Sequence, residues 1–379
     1  MIAMAFCLHD RSVPPATPET PDRDRAAAGR LARDRSPPAG DGSSIKAPSR
    51  GPRHHDEAAS WIQESGISVS HPTDSALRGH VRAERIRLPR ACYERSHLWI
   101  IAFGARPFAW LAAAFVLAAY HAWPAAALCL LLAQRHFQTL VHDASHAFYH
   151  RTTRVNDLLA NWLAAGWIGM TVQNYRRIHL KHHAHNGSAD DPEHVSFRTV
   201  AESGGLVKMV LRYACLLEVV RLVRKYYGPA PAGRRPTAQA DHEASSGRAH
   251  VIGSQLLLAG ASFAFEVPAI YLIWLYLAMT WSPLLSRLRF LVEHPGDSDL
   301  TVTTRSTLLE RPLFAPLNFN LHFEHHAWPG IPPYRLKGAH RYLRELGFYE
   351  RHPEFANASF IGSLIRREQA HRTVAEASA

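Results

Sequence analysis

The chain has 379 residues, with 43 Lys and Arg against 32 Asp and Glu, and a formal net charge of +11. It contains 25 His against 22 Gly, although glycine is normally among the commonest residues. The four cysteines form no CxxC pair, which argues against a disulfide framework, a zinc ribbon and a cysteine-ligated iron–sulfur cluster. Any metal in this protein is therefore predicted to be bound by histidine.

Residues 1–95 are predicted to form a disordered, basic N-terminal tail. Residues 11–53 are rich in Pro, Arg, Asp, Ser and Gly, a composition that cannot bury enough apolar surface to offset the entropy of ordering. No aromatic residues alternate with these charges, as stacking on nucleic acid bases would require. A solvated tail is therefore favoured over a nucleic-acid-binding arm, and no nucleic acid partner is predicted.

Two long apolar runs follow the tail. Residues 98–134 contain one formally charged residue, Arg106, and residues 251–286 contain one, Glu266. A transmembrane helix needs about 20 predominantly apolar residues, so each run is too long for one span and suits two short ones. Turn-forming residues lie in the middle of both runs, at 120–124 and 266–268. The fold class predicted is an all-α integral membrane protein with four transmembrane helices arranged as two hairpins.

The distribution of basic residues predicts the orientation in the membrane. Lys and Arg are concentrated in residues 1–97, 135–250 and 287–379, and the two predicted turns contain none. The positive-inside rule places these three regions in the cytoplasm, at the inner membrane if the source is bacterial. Within the middle region, residues 158–172 and 206–223 are predicted to be helices lying in the membrane interface, and residues 229–248 a linker.

Three histidine clusters lie in the regions predicted to be cytoplasmic. In a helix, residues three and four positions apart share a face, so the members of each cluster can converge. Imidazole suits iron, zinc, copper and nickel, and eight imidazoles are enough for two metals. A zinc peptidase would need HExxH, which the first cluster lacks. The clusters are HDASH with His142 and His146, HLKHH with His179, His182 and His183, and HFEHH with His322, His325 and His326.

These clusters resemble the three histidine boxes of the membrane fatty acid desaturase family. Residues 183–192 resemble the HH…DP stretch after the family's second box, and residues 318–336 resemble its N-x-H-x-x-H-H-x-x-P-x-x-P-x-x-x-L signature. The resemblance covers roughly residues 96–350. It predicts a membrane-embedded desaturase domain over residues 96–356, followed by a C-terminal tail over residues 357–379.

The resemblance implies four helices capped by a cytosolic histidine-rich domain. It also implies a non-haem centre of two iron ions, bound by the box histidines, that uses O2 and two electrons to desaturate a lipid-, CoA- or carrier-bound acyl chain. His294 matches a further histidine that many members carry after the fourth span. Electrons are expected from a separate donor, such as a ferredoxin with its reductase. Bulky Phe148 and Tyr149 follow the first box, where the family often has a small residue, and could narrow the acyl tunnel.

Polar residues beside the boxes are candidates for orienting the imidazole rings, because metal-binding histidines usually donate their other N–H to a carboxylate or carbonyl. These candidates are Asp143, Asp190, Asp191, Asn318, Asn320 and Glu324.

Two alternatives stay open. The first is another oxygenase of the same superfamily, a hydroxylase or a carotenoid ketolase, although ketolases tend to extend the third box with histidines where this chain has Asn320 and Leu321. The second is a non-enzymatic, zinc-handling membrane protein. It predicts polar ligands within the spans, where only Arg106, His121 and Glu266 are available.

Overall fold

Helices make up nearly all of the regular structure in the described part of the chain. The computed structural model describes residues 84, 86–188, 190–193, 205–227, 248–295 and 300–377. The predicted tail therefore lies almost wholly outside the described residues, as does the predicted linker up to residue 247. The helices before the linker are α1 (His97–Ala119), α2 (Trp123–Ser145), α3 (Thr153–Ala160), α4 (Val172–His185), α5 (Leu206–Ala214) and α6 (Leu217–Tyr227).

The helices after the linker are α7 (Arg248–Ala264), α8 (Ala269–Met279), α9 (Trp281–Glu293), α10 (Glu310–Phe314), α11 (His322–Ala327), α12 (Leu336–Glu345), α13 (Phe348–Arg351) and α14 (Phe360–Ala377). Two short strands, β1 (Thr303–Thr304) and β2 (Ala356–Asn357), pair in parallel, with Thr303 opposite Ala356. This pairing joins the chain just after α9 to the segment that precedes α14.

The helices break at the two places where the sequence predicts turns. Between α1 and α2 the chain reverses at His121, which has a φ of 57°, and Pro124 lies in the first turn of α2. Between α7 and α8 it turns at Glu266, with a φ of 58°, just before Pro268. α1 and α2 then pack along each other, with buried alanines such as Ala114 allowing close approach.

Two segments of the described chain are long and apolar enough to cross a membrane. They are His97–Ala119, which is α1, and Ala269–Glu293, which is α8 and α9 together with a kink at Thr280. Residues Ala249–Ala264 form a shorter apolar helix. The mean hydropathy of α2 is lower because the helix contains polar residues such as Gln134 and Arg135, which are buried against other helices. The fold is all-helical with two candidate spans, and the four-span arrangement remains a prediction.

The two segments predicted to be interfacial helices are both interrupted. The first, 158–172, contains the end of α3, one turn of π-helix at Asn161–Ala165 and a 3-10 turn at Gly166–Ile168. The second, 206–223, bends between α5 and α6 at Leu216, which has a φ of 60°. Neither segment is therefore one continuous helix.

The C-terminal helix is part of the folded structure. Phe360 and Leu364 of α14 are buried in one core with Met209 of α5, Leu284 of α9 and Phe314 of α10. Residues 357–379, interpreted from the sequence as a tail, thus contain a helix that packs beside the candidate span Ala269–Glu293.

Candidate metal centre

Four structural elements bring the predicted metal-binding histidines together. The last turn of α2 carries the first box, α4 carries the second, and α11 carries the third. α4 begins at a cap in which Thr171 Oγ1 accepts a hydrogen bond from the Asn174 amide. The residue that caps the end of α9 is His294, which lies with the box histidines as the resemblance implies.

Five imidazoles form the first group. His183 Nε2 lies 3.0 Å from both His179 Nε2 and His325 Nε2. His146 Nε2 lies 3.0 Å from His179 Nε2, and His142 Nε2 lies 3.0 Å from His325 Nε2. The five Nε2 atoms therefore make an unbroken chain of four short contacts and point into one small space.

Hydrogen bonding alone does not account for these contacts. A neutral imidazole nitrogen has either one proton or one lone pair, so it takes part in a single hydrogen bond. Five nitrogens then make at most two hydrogen bonds, and the remaining short contacts would be repulsive. A shared cation removes this conflict, because two nitrogens about 2.1 Å from one metal and at right angles lie about 3.0 Å apart. The donor set thus fits a bound metal ion.

Three further imidazoles, His182, His294 and His326, form the second group. Their ligand atoms lie within 4.8 Å of one another, and His322 Nε2 adjoins them, 2.8 Å from His294 Nε2. The Nε2 atoms of His182 and His326 are buried, and no hydrogen-bond partner for them lies in the described residues. Such nitrogens are costly to bury unless a ligand satisfies them, so this group also fits a metal ion.

The two groups are neighbours. The His183 ring of the first group stacks on the His326 ring of the second, with centroids 4.2 Å apart. The histidines are buried, apart from the half-buried His146 and His183. The arrangement can therefore hold two metal ions side by side in a site shielded from water.

Two of the predicted ring-orienting carboxylates contact box histidines. Asp191 is fully buried, and its Oδ2 accepts a hydrogen bond from His182 Nδ1 at 2.9 Å. Asp143 Oδ1 lies 3.2 Å from His142 Nδ1. A proton on Nδ1 leaves the lone pair on Nε2, the atom that faces the rest of the group. Both carboxylates thus favour the tautomer that binds metal.

The other candidates do not contact the imidazoles of the two groups. Asp190 is exposed. The side-chain amide of Asn318 donates to the carbonyl of Pro333 at 3.1 Å, and that of Asn320 donates to the carbonyl of Thr304 at 2.8 Å. These two asparagines hold the backbone turn that leads into α11.

Glu324 faces the opposite side of α11 from the imidazole groups. Its buried carboxylate accepts hydrogen bonds from Tyr349 Oη, His340 Nδ1 and Thr303 Oγ1. It thereby joins α11 to α12, α13 and β1. Glu324 positions the helix that carries the third box and does not touch a box ring.

Two acidic residues at the site were missed from the sequence. Glu193 Oε1 lies 3.5 Å from His179 Nδ1. Glu293 is fully buried, and its Oε2 lies 3.1 Å from Arg289 Nε and 3.6 Å from His322 Nδ1. Each lies next to a motif identified in the sequence: Glu193 follows Asp-Asp-Pro, and Glu293 precedes His294. Their position beside these motifs was the sequence signal that could have identified them as candidates.

Burial sets the protonation of the site. It lowers the pKa of His183, His325 and His326 well below the ordinary value, and neighbouring imidazoles lower it further. Burial also lowers the pKa of His182, but the charges of Glu193 and Asp191 outweigh it, and the net direction is upward. Burial raises the pKa of Glu193, but His182 and His179 bring it down to about 2. The rings of His183, His325 and His326 are therefore neutral at pH 7, the form that binds metal.

A small, mostly apolar cavity lies between α1 and the end of α2. Phe103, Leu140, Phe148 and Tyr149 line it together with Asp143, the neighbour of His142. Tyr149 Oη donates to the Leu140 carbonyl at 3.1 Å, which fixes the ring in the wall of the cavity. The two bulky residues after the first box thus share a cavity wall with Asp143, the neighbour of His142.

Comparison with known families agrees with the site. A model of the fatty acid desaturase family matches residues 121–356, more than half of the chain, and this range includes all nine histidines described above. The chain belongs to the fatty acid desaturase family. No curated protein matches it by sequence. Membership identifies an oxidoreductase of a membrane-associated family that typically uses iron.

Proposed function

We propose that this protein is an O2-dependent fatty-acyl desaturase that introduces a double bond into a lipid-, CoA- or carrier-bound acyl chain at a histidine-bound di-iron centre. The observation that carries the proposal is the pair of adjoining, buried imidazole groups within a domain of the desaturase family. Iron bound there would supply the O2 activation needed to remove hydrogen from unactivated carbon. Reduction of O2 to two waters takes four electrons, two from the acyl chain and two from a donor.

The chain's own residues would bind the metal ions, orient the imidazole rings and shield the site from water. The first iron would be held within the five-histidine group. The second would be held by His182, His294 and His326, with His322 beside them. Asp143 and Asp191 keep their rings in the metal-binding tautomer, and burial excludes water from the oxidising site.

The apolar cavity is the proposed path of the acyl chain. Its walls are mostly aromatic and aliphatic, which suits an acyl chain, and Asp143, the neighbour of His142, is part of its lining. Phe148 and Tyr149 would limit which part of the chain reaches the metals. We therefore place the substrate between α1 and the end of α2.

The proposed topology has four spans, formed by α1, α2, α7 and the α8–α9 segment. The first two histidines are on the last turn of α2, and His294 caps α9, so the site lies where both helices end. The basic residues of the chain favour the cytoplasmic side for these ends. We propose an integral membrane location, at the inner membrane if the source is bacterial, with electrons delivered from the cytoplasm by a separate donor such as a ferredoxin with its reductase.

Expression in a host without its own desaturases, followed by mass spectrometry of total fatty acids, tests the reaction. Wild type should yield an acyl species lacking two hydrogens, and His325→Ala should yield none. His121→Asn is the matched control, because His121 is exposed at the α1–α2 turn and asparagine tolerates its left-handed backbone.

The alternatives give different products in the same experiment. An acyl species with one added oxygen would identify a hydroxylase, and an oxidised carotenoid would identify a ketolase. Full activity of His325→Ala would refute the metal assignment. Stoichiometric zinc without iron or any oxidised product would favour a zinc-handling protein.

A further inference from the structure

The bend between α5 and α6 gathers three arginines around one carboxylate. Glu218 is 3% exposed. Arg221 Nε donates to it at 2.7 Å, Arg212 Nη2 lies at 3.2 Å, and Arg287 Nη1 of α9 lies at 3.8 Å. We call this cluster of Arg212, Arg221, Arg287 and Glu218 the arginine corner. One negative charge among three positive charges leaves a surplus of two positive charges.

Two of these guanidinium groups are open to a ligand. The side chains of Arg212 and Arg221 are 30% and 43% exposed, whereas that of Arg287 is buried. Lys208 and Arg224, on the same two helices, are also exposed. The corner thus presents positive charge outward beyond what Glu218 neutralises.

The corner lies against the candidate span Ala269–Glu293 between Tyr276, within the uncharged part of the span, and Arg287, where that part ends. Tyr276 Oη donates to the carbonyl of Ala214 at 3.0 Å, and Arg287 Nη1 lies 3.5 Å from Tyr213 Oη. Residues 269–286 contain no charged residue, and Arg287 is the first. If this segment crosses the membrane, the corner lies at the boundary between hydrocarbon and headgroups.

The same two helices also expose apolar side chains. Val207 and Leu211 of α5 are one helical turn apart and 64% and 56% exposed, and Leu217, Val220 and Val223 of α6 are exposed as well. The opposite face of α5, with Met209, is buried against α9. Exposed apolar residues beside exposed arginines are typical of helices that lie in a membrane interface.

We propose that the arginine corner binds the phosphate-bearing headgroup of anionic phospholipids, while the exposed apolar residues of α5 and α6 enter the acyl region beside it. The proposal rests on the membrane insertion proposed above and is independent of the reaction catalysed. Guanidinium groups suit phosphate because they present several N–H donors in one plane. The anionic cytoplasmic leaflet supplies such headgroups at this level.

Cys215 provides a reporter at the corner. It is exposed between α5 and α6, whereas Cys92 and Cys129 are buried. The full chain, with Cys7→Ser, is labelled at Cys215 with an environment-sensitive fluorophore and reconstituted into phosphatidylcholine vesicles. Brominated phosphatidylglycerol or brominated phosphatidylcholine is added at equal mole fraction, and quenching of the probe is compared.

In the wild type, brominated phosphatidylglycerol should quench more strongly, and added salt should reduce the difference. Arg212→Gln with Arg221→Gln should weaken the preference by about fivefold for each arginine removed. The matched control, Arg341→Gln with Arg344→Gln, changes two exposed arginines of α12 and should keep the preference.

Glu218→Gln separates lipid binding from a structural role of the arginines. It removes the internal ion pairs but adds net positive charge, so the preference for phosphatidylglycerol should persist or rise. Equal quenching by the two lipids in the wild type would overturn the proposal, and so would equal loss of preference in Glu218→Gln and the double arginine variant. Intrinsic tryptophan fluorescence quenched by both lipids confirms insertion, so failure at the corner stays distinct from failure of the membrane proposal.

Discussion

Asp191→Asn should weaken metal binding at the second histidine group. The amide oxygen can keep the hydrogen bond from the Glu193 backbone N–H, which donates to Asp191 Oδ1 at 2.9 Å. The NH2 group then replaces Oδ2, which accepts from His182 Nδ1 and from the Gly187 backbone N–H at 3.3 Å. What is lost is the negative charge 2.9 Å from His182 Nδ1, at a place where both side chains are excluded from water. Removing such a partner typically costs about 10- to 100-fold in metal affinity, or about 1.4–2.8 kcal/mol.

The assay is iron content and its resistance to a chelator, measured on purified protein. We expect wild type to retain about two irons per chain and Asp191→Asn to retain about one at intermediate chelator concentration, because Asp191 orients His182, a member of the three-histidine group. Asp190→Asn is the matched control, since the neighbouring carboxylate is exposed. Identical chelator curves for the two variants would refute the role given to Asp191.

Two further predictions concern stability. Gly166→Ala should lower the melting temperature in detergent, because its Cβ would lie 2.7 Å from a backbone carbonyl of α7, an overlap that costs about 1–3 kcal/mol. In Gly104→Ala in α1 the added Cβ would have no atom within 4 Å, so the melting temperature should stay unchanged or rise slightly. Equal effects of the two substitutions would contradict the packing around Gly166. Glu310→Gln should destabilise α14 at neutral pH: burial raises the pKa of Glu310, but hydrogen bonds from Thr307 and Ile361 outweigh it and lower the pKa below the ordinary value. A carboxylate with a lowered pKa stabilises the fold fully above its ordinary pKa of 4.5, and this stabilisation is lost as the pH falls below that value and through the lowered pKa of the folded state. The difference from wild type should therefore shrink below pH 4.5, and a difference that does not depend on pH would contradict this assignment.

Periodicity and composition predicted the long apolar helices and the turns between them, but they did not predict the bends that depend on single residues. The apolar runs located the turns at 120–124 and 266–268 because each run is too long for one span and has turn-forming residues, including a proline, in its middle. They did not reveal the bend at Leu216 or the π-helical turn after Ala160, since nothing in local composition distinguishes these positions. Packing sets the bend at Leu216, because α5 and α6 must both lie against α9.

The histidines were predictable from spacing, but their carboxylate partners were only partly so. Asp191 and Asp143 lie near the boxes and contact them, whereas Glu324, between box histidines, points the other way. Closeness in sequence to a histidine box does not determine which face of the helix a side chain points from. Glu193 and Glu293 lie next to motifs in the sequence, but that position alone does not show that they face the imidazoles. Their contacts with His179 and His322 depend on how α4, α9 and α11 pack.

The spacing in the second and third boxes explains why the site has two groups. Successive residues on a helix point about 100° apart, so adjacent histidines are poorly placed to bind one metal ion. The structure divides each adjacent pair accordingly: His183 and His325 belong to the five-histidine group, and His182 and His326 to the three-histidine group. Two HxxHH helices facing each other therefore hold the two histidine groups, each of which could bind a metal ion, in fixed positions relative to one another. A rotation of either helix would disturb both at once, and so the Glu324 contacts behind α11 serve the metal centre without touching it.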